Sequence, residues 1–222
     1  MSKKMMLLAL SAISAVMFVL PAAASANPPA HIEGLKTLTF EVHATAGSLS
    51  TTSGETVKCT TTTGSGKLET TTTGSFSLIF HGCTTETIFG TVSCTTHTPA
   101  QPTGTIATTE LKFHLFSGAT ATARPFILVT PNETTKTFAH FTCAGVNKTV
   151  EGTGLIGTIT APACDTSSNK ATLDFNATAH GIKEHSSLTG VNYTFTSNGT
   201  TAAMDTTPTI TFKESGFLNC TP

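Results

Sequence analysis

The chain has 222 residues, of which 12 are basic and 13 acidic, giving a formal net charge of −1, and only 11% of it is charged. That balance excludes a nucleic-acid partner, because displacing counterions from phosphates needs a cationic face and no basic run lies beyond Lys3-Lys4. The length suits one domain, and the steady recurrence of Phe, Leu, Ile and Val separates the chain from disordered compositions.

Residues 1–26 read as an export signal. MSKK forms a positive n-region, MMLLALSAISAVMFVL an apolar h-region, and Ala24-Ser25-Ala26 the small-x-small site, so cleavage is expected between Ala26 and Asn27. The apolar run is short for a membrane span, and no later segment is long and apolar enough. No transmembrane segment is therefore expected after signal removal. Loss of Lys3 and Lys4 takes 12 basic residues to 10 against 13 acids, so the net moves from −1 to −3. Residues 27–222 are expected to form a single domain.

Threonine makes up about a fifth of the chain, far above its usual share. Its β-branch favours pleated, half-buried surfaces, and its hydroxyl solvates an outer face without charge. Period-two alternation then recurs along the chain. Leu38, Phe40 and Val42 share one face of LKTLTFEV, and Phe76, Leu78 and Phe80 share one face of GSFSLIFHGC. Leu111, Phe113 and Leu115 do the same in TTELKFHLF. RPFILVTP, KTFAHFTC, TGLIGTIT, ATLDFNA, NYTFTS and PTITFKE continue the series, and Asn198-Gly199 is the best hairpin turn. Short strands about every ten residues, with no long helical periodicity, predict an all-β fold. The specific expectation is an antiparallel β-sandwich of roughly ten short strands, stapled by disulfides.

Six cysteines follow the signal: Cys59, Cys83, Cys94, Cys143, Cys164 and Cys220. An even number in an exported chain points to bridges, and six allow 15 connectivities. The short turn-rich loop favours Cys83 with Cys94, and strand-end positions favour Cys59 with Cys143. Cys164 with Cys220 follows by elimination. No C-x-x-C pair supports zinc.

Residues 152–157, GTGLIG, satisfy the G-x-G-x-x-G dinucleotide pattern. The motif needs a helix after the loop, yet TITAP follows, with β-branched residues and then Pro162. The glycines are expected to permit a bulge or close strand packing. TGSGKLE at 63–69 lacks the Ser or Thr that a phosphate loop places after its lysine, and Gly64-Ser65-Gly66 is expected to be a turn. Neither G-x-S-x-G nor H-E-x-x-H occurs. HGIKEH, from His180 to His185, is the densest cluster of ionisable groups and is expected to be a polar loop. No cofactor, metal or catalytic residue is assigned.

The motifs VKC (57–59), FHGC (80–83), SC (93–94), GTIATTEL (104–111), FAHFTCAG (138–145) and VEGTGLIGTIT (150–160) run in series. In that order the chain resembles a group of small, exported, uncharacterised bacterial proteins, notably of high-GC Gram-positive lineages. The resemblance spans roughly the middle 120 residues and implies export and a β-rich fold, with no activity attached. Cys164 and Cys220 are additions to the group's pattern. The expected function is a non-enzymatic extracellular or envelope-associated role, structural or binding; its partner is not assigned, with a cell-surface or glycan component as the candidate. The alternatives are a carbohydrate-binding module and a secreted hydrolase using the His180–His185 loop. The absence of Trp and the single Tyr193 weigh against an aromatic sugar platform.

Overall fold

The computed structural model describes residues 30–34, 39–97, 99–116, 124–131, 136–163, 165–176 and 193–219. They contain eighteen strands and, among the described residues, no helix. In chain order the strands are β1 (His31–Glu33), β2 (Thr39–Ala44), β3 (Gly47–Thr51), β4 (Thr56–Cys59), β5 (Thr61–Leu68) and β6 (Thr73–His81). Next come β7 (Thr84–Thr87), β8 (Gly90–Thr95), β9 (Ile106–Ala107), β10 (Leu111–Phe116), β11 (Phe126–Pro131) and β12 (Thr137–Cys143). The last six are β13 (Val146–Gly152), β14 (Leu155–Ala161), β15 (Thr166–Asp174), β16 (Phe195–Ser197), β17 (Thr200–Thr206) and β18 (Thr209–Asn219).

The all-β expectation holds, but the sandwich of roughly ten strands does not. Two closed eight-stranded rings replace it. The first runs β2-β5-β6-β10-β11-β14-β15-β18 and closes by β18 pairing β2. The second runs β3-β4-β7-β8-β12-β13-β16-β17 and closes by β17 pairing β3 and β8 pairing β12. Every pairing is antiparallel. The circular order is the same in both rings, because the chain is a meander of eight long legs. Each leg gives one strand to each ring: β2 runs on into β3, β4 into β5, β6 into β7, and so on to β17 into β18. The alternating runs seen in the sequence are halves of these legs. Short breaks such as Thr45-Ala46, Thr60, Gly82-Cys83 and Thr207-Pro208 divide them at a common waist.

Alternation assigns the faces. In β10, Leu111, Phe113 and Leu115 are buried while His114 is exposed. In β5, Thr62 and Leu68 face in, whereas Thr63, Ser65 and Lys67 face out. One apolar cluster runs through both rings, from Phe40, Leu111 and Phe212 in the first to Phe138, Phe141 and Phe195 in the second. Edge-on ring contacts order it: Phe113 lies 6.0 Å from Phe40, Phe40 lies 5.5 Å from Phe212, and Phe138 lies 5.1 Å from Phe195. Burying one such ring contributes about 1.5–3 kcal/mol. In β2 and β5 the buried residues point inward and Thr, Ser, Lys, Glu and His outward, the reverse of the lipid-facing band of an outer-membrane barrel. Among the described residues no helix is long and apolar enough to cross a membrane.

Two-residue turns close three of the four hairpins at the far end of the second ring. Asn198 and Gly199 take φ of 49° and 76°, the positive values a tight hairpin requires. The Asn198 side chain accepts a bond from Thr149 N at 2.8 Å and donates one to the Asn147 carbonyl at 3.1 Å, tying this hairpin to β13. Ala144-Gly145 makes a similar turn with φ of 51° and 78°, which alanine adopts at a cost.

Outside the first ring, Lys112 Nζ meets Glu69 Oε1 at 2.6 Å. This hydrogen bond holds the Glu69 carboxyl below its ordinary 4.5 and raises Lys112 above 10.5. Because the folded carboxyl has the lower pKa, its stabilising contribution is present above pH 4.5 and is lost as pH falls through the folded value. Lys112→Met is therefore expected to flatten the acid limb of a Tm-against-pH curve while leaving its slope near neutrality unchanged. An identical acid limb in the variant would show the pair to be inert.

Candidate functional site

The four described cysteines lie in one row across neighbouring strands. The register pairs Lys58 with Thr84 and Thr84 with Ser93, which sets Cys59 opposite Cys83 and Cys83 opposite Cys94. Cys94 is directly opposite Cys143. The row climbs from the waist end of β4 to the turn end of β12, as register lines do in a barrel of tilted strands. The bridges are Cys59–Cys83, with Cα atoms 4.0 Å apart, and Cys94–Cys143, at 4.2 Å. This corrects the expected pairs Cys83–Cys94 and Cys59–Cys143. Cys83 and Cys94 are indeed neighbours, joined by a 2.9 Å bond from Cys94 N to the Cys83 carbonyl. Bridging them, however, would strand Cys59 and Cys143 three strand spacings apart, roughly 14 Å along the sheet and beyond disulfide reach. Only the observed pairing joins all four as nearest neighbours.

Inside, the polar groups near the waist are hydroxyls. Thr108 Oγ1 accepts a bond from Leu78 N at 2.9 Å, and Thr206 Oγ1 donates to the Ala46 carbonyl at 2.8 Å. Thr96 Oγ1 donates to the His140 carbonyl and accepts from Ala107 N. These hydroxyls satisfy backbone groups where the legs break. Thr62 differs: it is 2% exposed, and among the described residues its Oγ1 has no hydrogen-bond partner. Every described buried polar side chain is Thr or Ser, and none is charged. At the rim of the second ring, Lys148 shares the inward row of β13 with Val150. Its Nζ lies 2.7 Å and 2.9 Å from the two Glu55 carboxylate oxygens. Since Glu55 belongs to the β3–β4 turn and β13 neighbours neither strand, this pair spans the mouth of the ring. On the β7–β8 turn, Ile88 and Phe89 stand 93% and 91% exposed.

GTGLIG straddles the break between β13 and β14, and strand rather than helix follows it. Its glycines serve close approach. A Cβ on Gly154 would come within 2.7 Å of the Tyr193 ring and 2.8 Å of Leu128, and one on Gly157 within 2.7 Å of the Phe175 ring. Gly64-Ser65-Gly66 is not the expected turn but the middle of β5. Gly66 faces Phe40 and Phe76, whose side chains occupy the space a Cβ would need. The turn falls instead at 69–72, closed by Glu69 N and Thr70 N donating to the Thr73 carbonyl. The sequence reading also missed Thr62. Its one sequence signal is an inward position in a strand whose other inward residues are glycine and leucine.

Ala26, Asn27, the His180–His185 loop, Cys164 and Cys220 lie outside the described residues. Among those described, no group of three or more His, Cys, Asp or Glu could hold a metal ion. What the described residues define is an all-β, disulfide-bonded fold whose buried side chains carry no charge. No known family, curated protein or solved structure matches the chain.

Two expectations follow. Gly157→Ala should lower stability by about 1–3 kcal/mol through overpacking against Phe175. The measurement is a denaturant midpoint at unchanged m, and an unshifted midpoint would contradict it. With Cys59 and Cys143 both changed to Ser, Cys83 and Cys94 should bridge. With Cys83 and Cys94 both changed, Cys59 and Cys143 should stay as thiols. Peptide mapping without reductant reads both, and a Cys59–Cys143 bridge in the second variant would refute the row.

Proposed function

We propose that this is an exported, non-enzymatic protein of the extracellular space or cell envelope, with a structural or binding role. The observation that carries the reading is the cysteine row, closed as two bridges with no free thiol among the described residues. Such bridges persist in oxidising compartments and are reduced in the cytosol. The export signal at residues 1–26 and the resemblance to exported bacterial proteins support the same compartment. A binding or structural role is favoured over catalysis by the placement of charge. The described acids and bases lie at the surface or rim, while the interior holds only apolar and hydroxyl groups. A general acid or base needs converging ionisable partners, and a nucleophile needs a base.

The test is expression with the native N-terminus in a Gram-positive host. Exported material should begin NPPAHIEG and show no titratable thiol at the four described cysteines. The purified protein should adsorb to cell-surface fractions or glycans, and should turn over no generic ester or glycoside. Cytosolic protein that still begins MSKK and carries reduced thiols would defeat the compartment. Hydrolysis abolished by His185→Ala would instead make the His180–His185 loop an active site.

A further inference from the structure

The two rings share a cavity of about 110 Å³. Its wall runs from Phe40 and Phe113 in the first ring, past Thr62, Ile106 and Thr108 at the waist, to Phe141 in the second. Every residue bordering it is uncharged. An apolar cavity of about 150 Å³ accepts benzene, so this smaller one takes a molecule of that size only as its wall gives, and eight-stranded barrels are wide enough to hold one small ligand. Met204 also borders the space, and its flexible thioether lets the wall adapt to an occupant.

Thr62 adds a polar requirement. Leaving a buried hydroxyl unpaired costs free energy, and the neighbouring Thr108 and Thr206 hydroxyls are already engaged with backbone. The cavity surface is apolar, so the Thr62 hydroxyl does not face it as it stands; a one-step rotation about χ1, which carries the hydroxyl into the methyl's place and the methyl into the Cβ hydrogen's place, turns the hydroxyl toward an occupant. A hydroxyl both donates and accepts, so it serves an alcohol, phenol or carbonyl equally. It has no cation to offer, and an ionised carboxylate buried beside it would be uncompensated.

We propose that this cavity is a binding site for a small, neutral, hydrocarbon-rich molecule carrying one oxygen, with Thr62 as its hydrogen-bonding residue. This goes beyond the export and surface role proposed above, which rests on the cysteines, so its failure would leave that reading standing. The lining side chains select for apolar bulk, and Thr62 selects for the oxygen. The Lys148–Glu55 pair and the inward strand rows leave the ionisable groups at the rim.

The experiment uses the mature, oxidised full chain with benzene, phenol and benzoate as probes, read by calorimetry and by amide chemical shifts. Benzene and phenol should each saturate at one per chain and shift the Leu78 and Thr108 amides. Phenol should bind roughly tenfold tighter, the worth of one hydrogen bond. Benzoate should not bind. Thr62→Val should bring phenol down to the affinity of benzene and leave benzene unchanged, while Thr62→Ser should keep the preference. The proposal is overturned by non-saturable binding of both neutral probes, by shifts confined to the Ile88-Phe89 turn, by benzoate matching phenol, or by a phenol advantage that survives in Thr62→Val.

Discussion

Everything in this fold depends on the pairing of the first leg with the last. β2 meets β18 from Phe40 opposite Phe212 to His43 opposite Thr209, and β3 meets β17 from Gly47 opposite Thr206 to Thr51 opposite Ala202. Thr206 Oγ1 fastens the junction by donating to the Ala46 carbonyl across 160 residues of chain. Without these contacts both rings would open into sheets with two exposed edges, each a template for pairing with other chains. With them, only two short strands among the described residues lie outside the rings, β1 paired with β18 and β9 paired with β6, and Ile32 N donates to the Thr71 carbonyl. Closure also sets the interior, because residues from the two ends of the sequence, Phe40 and Phe212, become neighbours in one core.

A leg that serves two rings must break its pairing at the waist, and the breaks expose backbone groups that need partners. Threonine supplies them. Its hydroxyls at 96, 108 and 206 bond backbone where strands end, and outward threonines elsewhere pair with one another and with histidine, as Thr149 does with His140. One residue type therefore fills three roles: strand former, uncharged outer surface and internal cap. That is a physical reason for a threonine-rich, charge-poor composition. Among the described residues, the cysteine row adds a covalent brace along one side of the second ring. It joins four neighbouring strands of the second ring, where several strands are short and have few ladder bonds of their own. Each bridge contributes about 2–4 kcal/mol, chiefly by restricting the unfolded chain.

Much of this was legible in advance, and the misreadings have specific causes. Alternation located Phe76, Leu78 and Phe80, and likewise Leu111, Phe113 and Leu115, on inward rows, because a strand has a period of two whatever sheet it joins. Asn198-Gly199 announced its turn, since few residue pairs accept two positive φ values. Gly64-Ser65-Gly66 misled, because glycine signals either freedom to turn or room for a neighbour. Only the positions of Phe40, Phe76 and Leu78 decide between these. Ala144-Gly145 gave a weaker signal than its geometry warranted, as alanine is rarely placed at positive φ.

The sequence by itself determined the strand-forming runs, the inward rows and a supply of cysteines suited to bridging, because these follow from local periodicity and residue chemistry. Tertiary structure decided ring against sandwich, since closure depends on β2 finding β18 and β3 finding β17, a contact no local pattern encodes. It also decided the disulfides. Loop length favoured Cys83 with Cys94, but register set four sulfurs in a line, and only pairing the first two and the last two leaves none stranded. The cavity and the unpaired Thr62 hydroxyl arise at the same level, because how well side chains fill a closed ring depends on all its strands together.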